Sequence, residues 1–261
     1  MLAITEHAGA ATITLNRPEI HNAFNAALIN ELGTAITELD QRDDVRVIVL
    51  AGAGRSFSAG ADLNWMREMA SAGEQENIDD ALNLARLLRT LAFTATPTIA
   101  RVHGAAYGGG VGLVACCDIA LGVPEARFGL TEARLGLVPA VISPYVIAAV
   151  GARQAGKLFM TAEVFDGRRA AELNLLHTCV ESDELDAAVA EQIGLLKKSG
   201  PQAIRAAKSL VGAVAGRTPD AQHALDEATA KLIASLRGSP EGREGVSAFL
   251  EKRPASWIDD E

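Results

Sequence analysis

The chain has 261 residues, 49% of them hydrophobic but only 4% aromatic, and a formal net charge of −9 at pH 7. That length carries one substantial core, or a core with a smaller appendage. The acidic balance excludes a general nucleic-acid surface, which needs a basic patch.

Three cysteines (Cys116, Cys117 and Cys179) form no Cys-x-x-Cys pair, and five histidines show no metal-ligand spacing. Free thiols in a reducing cytosol and no metal site are the expectation. No apolar run reaches the ~18 residues of a membrane span. The N-terminus shows no charged leader followed by an apolar stretch. A cytoplasmic protein with neither a membrane nor a nucleic acid as partner is expected.

In chain order, Leu2 to His7 and Ala11 to Asn16 read as a hairpin turning at Ala8-Gly9-Ala10. Residues 25–39 carry Leu28, Leu32, Ile36 and Leu39 at helical spacing. Val45 to Ala51 is a β-branched run suited to a strand buried on both faces. After a Gly-rich loop at 52–61, Asp62 is placed to cap a helix from Leu63. Residues 71–80 are polar and weakly patterned, and read as a loop over the site. Ala81 to Leu91 returns to helix. Thr98 to Val102 is a strand running into Gly104 through Gly110, followed by an apolar helix over 111–117 and a strand over 118–121. Strands separated by helices predict an α/β architecture with parallel strands. Residues 141–150, 153–160 and 168–173 read as helices, and only helices follow from Asp183, punctuated by Pro201, Pro219 and Pro240 near helix starts. A core over 1–200 and a helical region over 201–261 follow, the latter too thin for its own core and expected to pack on the main domain and on a neighbouring subunit.

Two Gly-rich loops, Ser56 to Asp62 and Gly104 to Gly110, each follow a strand and lead into a helix. A helix N-terminus presents unpaired N–H groups and the positive end of the helix dipole. Two such ends converging on one point make an oxyanion hole for a carbonyl oxygen gaining charge. Neither loop matches the nucleotide phosphate loop or the dinucleotide fingerprint. Glu132 is a lone carboxylate in an apolar, Gly-punctuated stretch; if desolvated, it has the raised pKa that suits proton transfer to and from carbon.

The order and spacing of these pieces resemble the crotonase (enoyl-CoA hydratase/isomerase) superfamily over essentially the whole chain. The resemblance runs through Asn16-Arg17-Pro18, Asn22-Ala23, the loop at 59–62, Gly108-Gly109-Gly110 and Cys117-Asp118-Ile119. It continues through Phe128-Gly129 with Glu132, Leu135-Gly136-Leu137 before Pro139, and Phe249 to Pro254. It implies a ββα spiral core with a C-terminal all-helical trimerisation region, and a homo-trimer or hexamer. It places the oxyanion donors on the backbone N–H groups of Ala61 and Gly109, with Glu132 as the acid–base. Ala59, Asp62, Leu63, Gly108, Gly112 and Tyr145 are expected along the substrate path. Phe249 and Lys252 are expected at the nucleotide end, from a neighbouring subunit, and Arg17, Lys252 and Arg253 as cations for the coenzyme phosphates. The substrate implied is an acyl-CoA thioester, so coenzyme A enters as part of the substrate and no separate cofactor is expected.

One departure matters. The family's hydratases carry a second glutamate where this chain has Gly112. A single carboxylate suits double-bond isomerisation, which needs one base. The segment Gly136 to Tyr145 instead resembles bacterial methylglutaconyl-CoA hydratases, as do Gly112-Leu113, Ala162-Glu163 and Phe165 to Arg169. Hydration of a branched enoyl-CoA, with or without a further carboxylate on the acyl group, is therefore the first expectation, with isomerisation or another enolate chemistry and a non-catalytic acyl-CoA binder behind it. Glu19 stands where some relatives place a lysine near the coenzyme.

Overall fold

The structure is a computed structural model and describes residues 1–258. The chain opens with an antiparallel hairpin of β1 (Leu2–His7) and β2 (Ala10–Leu15), followed by α1 (Ala26–Asp40). Asn25 caps α1 by accepting the Leu28 N–H at 2.9 Å. The apolar positions singled out by spacing, Leu28, Leu32, Ile36 and Leu39, are all buried.

Three ββα turns then succeed one another. The first is β3 (Val47–Gly52), β4 (Ser56–Ser58), α2 (Leu63–Ser71) and α3 (Glu74–Phe93). The second is β5 (Thr98–Val102), β6 (Ala105–Tyr107) and α4 (Gly109–Cys116). The third is β7 (Ile119–Gly122), β8 (Arg127–Gly129), a 3-10 turn at Glu132–Leu135 and α5 (Ser143–Val150). In every turn the first strand enters one sheet and the second strand another. The larger sheet is ordered β1-β2-β3-β5-β7 and ends on β10 (Thr178–Cys179); the smaller is ordered β4-β6-β8 and ends on β9 (Val164–Asp166). Apart from the β1–β2 and β8–β9 pairs, both sheets are parallel. The run read as fully buried is β3, whose Val47 to Ala51 are buried on both faces. Helices α6 (Ala152–Thr161) and α7 (Gly167–Glu172) flank β9.

Among the described residues, only helices follow β10: α8 (Leu185–Lys197), α9 (Pro201–Val214), α10 (Pro219–Gly238) and α11 (Pro240–Glu251). Helix α10 lies along α3, and α11 turns back onto the 3-10 turn and α2. The α11 contact is close: a Cβ on Gly245 would meet the Leu135 carbonyl oxygen at 2.3 Å, so only glycine fits there. Helix α9 buries none of its residues.

Residues 71–80 differ from their sequence reading. Apart from a break at Ala72-Gly73 they are helical, and α3 begins at Glu74. Polar residues in that stretch point inward: Asn77 and Asp80 are 2% and 8% exposed. Asn77 donates to the carbonyl of Met69 at 3.0 Å, closing the corner between α2 and α3. Glu76 accepts the Gly73 N–H at 3.0 Å and starts the new helix. Polarity there marks buried hydrogen bonding, not solvent. None of the described helices is long and apolar enough to cross a membrane.

Candidate active site

The site grows from the smaller sheet. Strands β4, β6 and β8 are parallel neighbours, so their C-terminal ends leave the same edge. What leaves that edge is the loop Ala59 to Asp62, the turn Gly108-Gly109, and the segment Leu130-Thr131-Glu132. Three segments distant in sequence thus meet by strand pairing alone.

Phe24 sets the spacing of the first two. Its N–H donates to the Gly60 carbonyl at 2.7 Å, and its carbonyl accepts the Asp62 N–H at 2.8 Å. This one-residue parallel bridge holds residues 60–62 extended. Alternation along an extended chain then turns the N–H of Ala61 away from Phe24. Ala61 lines a cleft of about 1050 Å³ on that side. The Phe24 ring meanwhile lies on Gly109, where a Cβ would be 2.8 Å from Cε2. Gly109 is the first residue of α4, so its N–H has no intrahelical acceptor. One residue therefore indexes both backbone donors, Ala61 through its main chain and Gly109 through its ring. The helix starts two residues earlier than its apolar pattern suggests, which brings Gly109 into the first turn.

Glu132 faces these donors from the 3-10 turn. A Cβ on Gly108 would lie 3.1 Å from Oε1, and Gly108 itself has φ +49°, a conformation that glycine adopts without strain. Oε2 is sealed from solvent and has no hydrogen-bond partner among the described residues. Burial pushes the carboxyl up from 4.5 to about 7; its own backbone N–H opposes the shift only in part. The group is thus poised near neutrality, where a carboxylate both takes and gives a proton.

The cleft wall also includes Ala59, Asp62, Leu63, Gly108 and Phe249. Asp62 caps α2 through the Asn64 N–H at 2.8 Å and pairs with Arg17 at 3.1 Å. Arg17 also donates to the Ala23 carbonyl at 2.8 Å, so it is engaged within the protein. Arg253 is likewise held by Glu244 and Glu251. Lys252, the left-handed C-cap of α11, is exposed and does not line the cleft of its own chain among the described residues. The chain's own Phe249 lines its own cleft, because α11 folds back over the site.

Two expectations are corrected. Gly112 does not open onto the cleft: a Cβ there would meet Ile142 Cγ2 at 2.5 Å, so Ile142 occupies the space of the missing side chain. Tyr145 is fully buried away from the cleft wall, its hydroxyl without a partner among the described residues and Arg217 lying 5.9 Å over its ring. His103, just before the second Gly-rich loop, bonds through Nε2 to the Gly54 carbonyl at 2.9 Å. Asp118 binds the Thr98 N–H at 2.8 Å and Lys208 at 2.7 Å, tying β5 to β7 and to α9. Arg134 donates to the Ala162 carbonyl at 2.7 Å.

The sequence reading passed over Phe24, Trp65, Asp80 and Arg237. Trp65 Nε1 donates to Asp80 at 2.8 Å, and Arg237 pairs with Asp80 at 3.0 Å. Trp65 and Arg237 both line the cleft. An apolar ring beside a polar residue at helical spacing was the available signal for the first; the second depends on the path of α10.

Comparison with known proteins places this geometry. A family model described as enoyl-CoA hydratase/isomerase matches residues 5–260. A crotonyl-CoA hydratase of Syntrophomonas wolfei is 30% identical over 250 residues, covering 95% of this chain and 94% of its own. The crystal structure of an enoyl-CoA hydratase from Shewanella pealeana superposes with a TM-score of 0.80 at 41% identity, covering 98% of this chain and 95% of that one. That of an enoyl-CoA hydratase from Mycobacterium avium gives a TM-score of 0.87 at 35% identity, covering 98% of each chain.

Proposed function

The chain belongs to the enoyl-CoA hydratase/isomerase family, and from that premise we propose that it hydrates a branched enoyl-CoA thioester through an enolate held by the N–H groups of Ala61 and Gly109. The observation that carries this reading is Glu132: a carboxyl on the cleft wall with one oxygen sealed and unpartnered among the described residues, a pKa raised to about 7, and Oε1 close against Gly108. In its ionised form Glu132 takes a proton from water as the oxygen attacks C3. The thioester carbonyl oxygen gains charge between the two backbone donors. Glu132, now protonated, returns the proton to C2, and the enolate collapses to the 3-hydroxyacyl thioester. One group does both halves of the proton transfer.

A branched acyl group is supported by the resemblance of Gly136 to Tyr145 to methylglutaconyl-CoA hydratases. Ile142, from that segment, fills the place beside Gly112 and removes room for a second acid. The same observation favours a second reading, isomerisation from a 3,4 to a 2,3 double bond, since one base moving a proton from C2 to C4 suffices. Incubation with crotonyl-, 3-methylglutaconyl- and 3-enoyl-CoA separates the two. Hydration adds the mass of one water, whereas isomerisation leaves mass unchanged and moves the chromatographic peak. Binding without turnover of any of the three would overturn both in favour of a non-catalytic acyl-CoA binder.

The assembly we propose is a trimer or hexamer. Helix α9 carries Leu210, Val211 and Val214 at 62%, 71% and 80% exposure, an apolar face that a monomer has no use for. Light scattering at micromolar concentration is expected to give three or six copies; a monomer there would count against it.

A further inference from the structure

We propose that Ser58 is a positioning residue for the oxyanion hole, its hydroxyl setting the direction of the Ala61 N–H. The inference rests on the function proposed above, in which Ala61 is one of two donors to the thioester oxygen. The N–H groups that flank Ala61 are all engaged within the protein. Ala59 donates to the His21 carbonyl at 2.9 Å, Gly60 to Ser58 Oγ at 3.3 Å and Asp62 to the Phe24 carbonyl at 2.8 Å. The Ala61 N–H has no acceptor among the described residues.

Gly60 is the point at which this loop could give way. It is buried, has φ +83°, and as a glycine has the least restrained backbone dihedrals. Peptide units are planar, so those dihedrals are fixed once the planes on either side are fixed. The plane after Gly60 is held by its carbonyl, which accepts the Phe24 N–H at 2.7 Å. That plane carries the Ala61 N–H. The plane before Gly60 is held at its N–H by Ser58 Oγ. Phe24 and Ser58 therefore clamp the glycine from both sides, and the direction of the free N–H follows.

The clamp is itself anchored. Ser58 is 0% exposed, and its hydroxyl donates to the Asn22 carbonyl at 2.9 Å, leaving a lone pair for Gly60. Asn22 is equally buried: Nδ2 donates to the Ala53 and Ser56 carbonyls at 2.9 and 2.8 Å, and Oδ1 accepts the Arg17 N–H at 2.9 Å. Ser58 also meets the second donor loop, by packing and not by bonding. A Cβ on Gly110 would lie 2.7 Å from the Ser58 carbonyl oxygen and 3.1 Å from Ser58 Cβ. Ser58→Ala keeps both of those atoms, so it spares that contact and the Gly109 donor beside it. What it removes is the acceptor of a buried N–H, which is costly to leave unpaired and turns toward another partner.

Infrared difference spectra of bound butyryl-CoA, isotopically labelled at its thioester carbonyl, read the oxyanion hole without turnover. Hydrogen bonds to that oxygen weaken the C=O bond and lower its stretching frequency. The wild-type protein is expected to lower the frequency relative to free butyryl-CoA, and Ser58→Ala to lose part of that shift. Its kcat on the best enoyl-CoA is expected to fall by about tenfold or more, short of the ~10²–10³-fold cost of deleting a donor outright. KM, and the calorimetric affinity for butyryl-CoA, are expected to stay nearly unchanged. Ser58→Cys, which keeps a weak donor and acceptor at the same point, is expected to fall between and carries the test should the alanine variant be unstable. Wild-type frequency and kcat in these variants, even with a lower urea midpoint, would assign Ser58 to stability and overturn the proposal. A lower kcat with the full wild-type shift would overturn it too, because the donor has not moved. Absence of any shift in the wild-type protein sinks the oxyanion reading itself, whereas a wild-type shift kept by the variants sinks the role of Ser58 and leaves that reading in place.

Discussion

Glu132 Oε1 stands over the Cα of Gly108 so closely that a single methyl group there would lie 3.1 Å from it. The acid–base group and the loop carrying an oxyanion donor are thus in van der Waals register before any substrate arrives. Glu132→Gln preserves that fit and removes only the exchangeable proton. Turnover of the best enoyl-CoA is expected to fall by ~10²–10⁴-fold or more, as for other general acid–base residues. Acyl-CoA affinity is expected to change little, because the donors at Ala61 and Gly109 are backbone groups. Near-normal turnover by this variant would remove Glu132 from the mechanism.

The raised pKa has two consequences with opposite readouts. The base form is needed to activate water, so kcat/KM is expected to rise with pH through about 7 and then level off. Stability runs the other way. Between about 4.5 and about 7 the folded protein keeps a proton that the unfolded chain has released. Stability is therefore lost as pH rises through that window. In Glu132→Gln this part of the pH dependence is expected to vanish, so its melting temperature gains on wild type between pH 5 and pH 8. Parallel melting curves for the two proteins across that range would refute the raised pKa of Glu132.

At Gly109, two substitutions separate chemistry from fit. Both Gly109→Ala and Gly109→Pro press on the Phe24 ring, which lies 2.8 Å from the Cβ position. Only proline also deletes the donor N–H. The kcat ratio between the alanine and proline variants is expected to be on the order of 10²-fold or more, the cost of losing one oxyanion donor. Equal kcat for the two would assign the whole effect to packing.

Installing a second carboxylate by Gly112→Glu is expected to fail by itself, because Ile142 Cγ2 lies 2.5 Å from the Cβ position. Overpacking of a core typically costs ~1–3 kcal/mol. Adding Ile142→Ala makes room, and the double variant is expected to recover at least ~1 kcal/mol relative to the sum of the single changes. Urea unfolding of the four proteins in this cycle reads the coupling; simple additivity would show that the two residues do not share that space.

Much of the core was legible because its signals are local. Leu28, Leu32, Ile36 and Leu39 announce a helix face by spacing, and Val47 to Ala51 announce a buried strand by composition. The two Gly-rich loops and Glu132 were legible as motifs, but their meeting point is a property of strand pairing in β4, β6 and β8, each only three residues long. Strands so short leave no periodic trace. Residues 74–80 misled because Asn77 and Asp80 look solvated in sequence and are buried in the fold. Gly112 was expected on the substrate path, and Ile142, which fills the space beside it, lies far along the chain in a turn with no regular pattern. Arg237 carried no signal of its own, since its partner Asp80 sits 157 residues earlier.

That separation fixes an order of events during synthesis. The ββα turns that hold Ala61, Gly109 and Glu132 are complete once β8 and its following turn have been made. The cleft is not, because Arg237, Val246 and Phe249 supply part of its wall. A growing chain therefore contains the residues of the reacting centre long before those of the walls that enclose an acyl group. Between those moments Trp65 and the apolar residues of α2 have no cover, and the nascent protein presents a sticky, half-built groove. Chaperone contact is expected to concentrate there and to end when α10 and α11 dock, so that ligand binding and release from quality control are switched on by the same final step of folding.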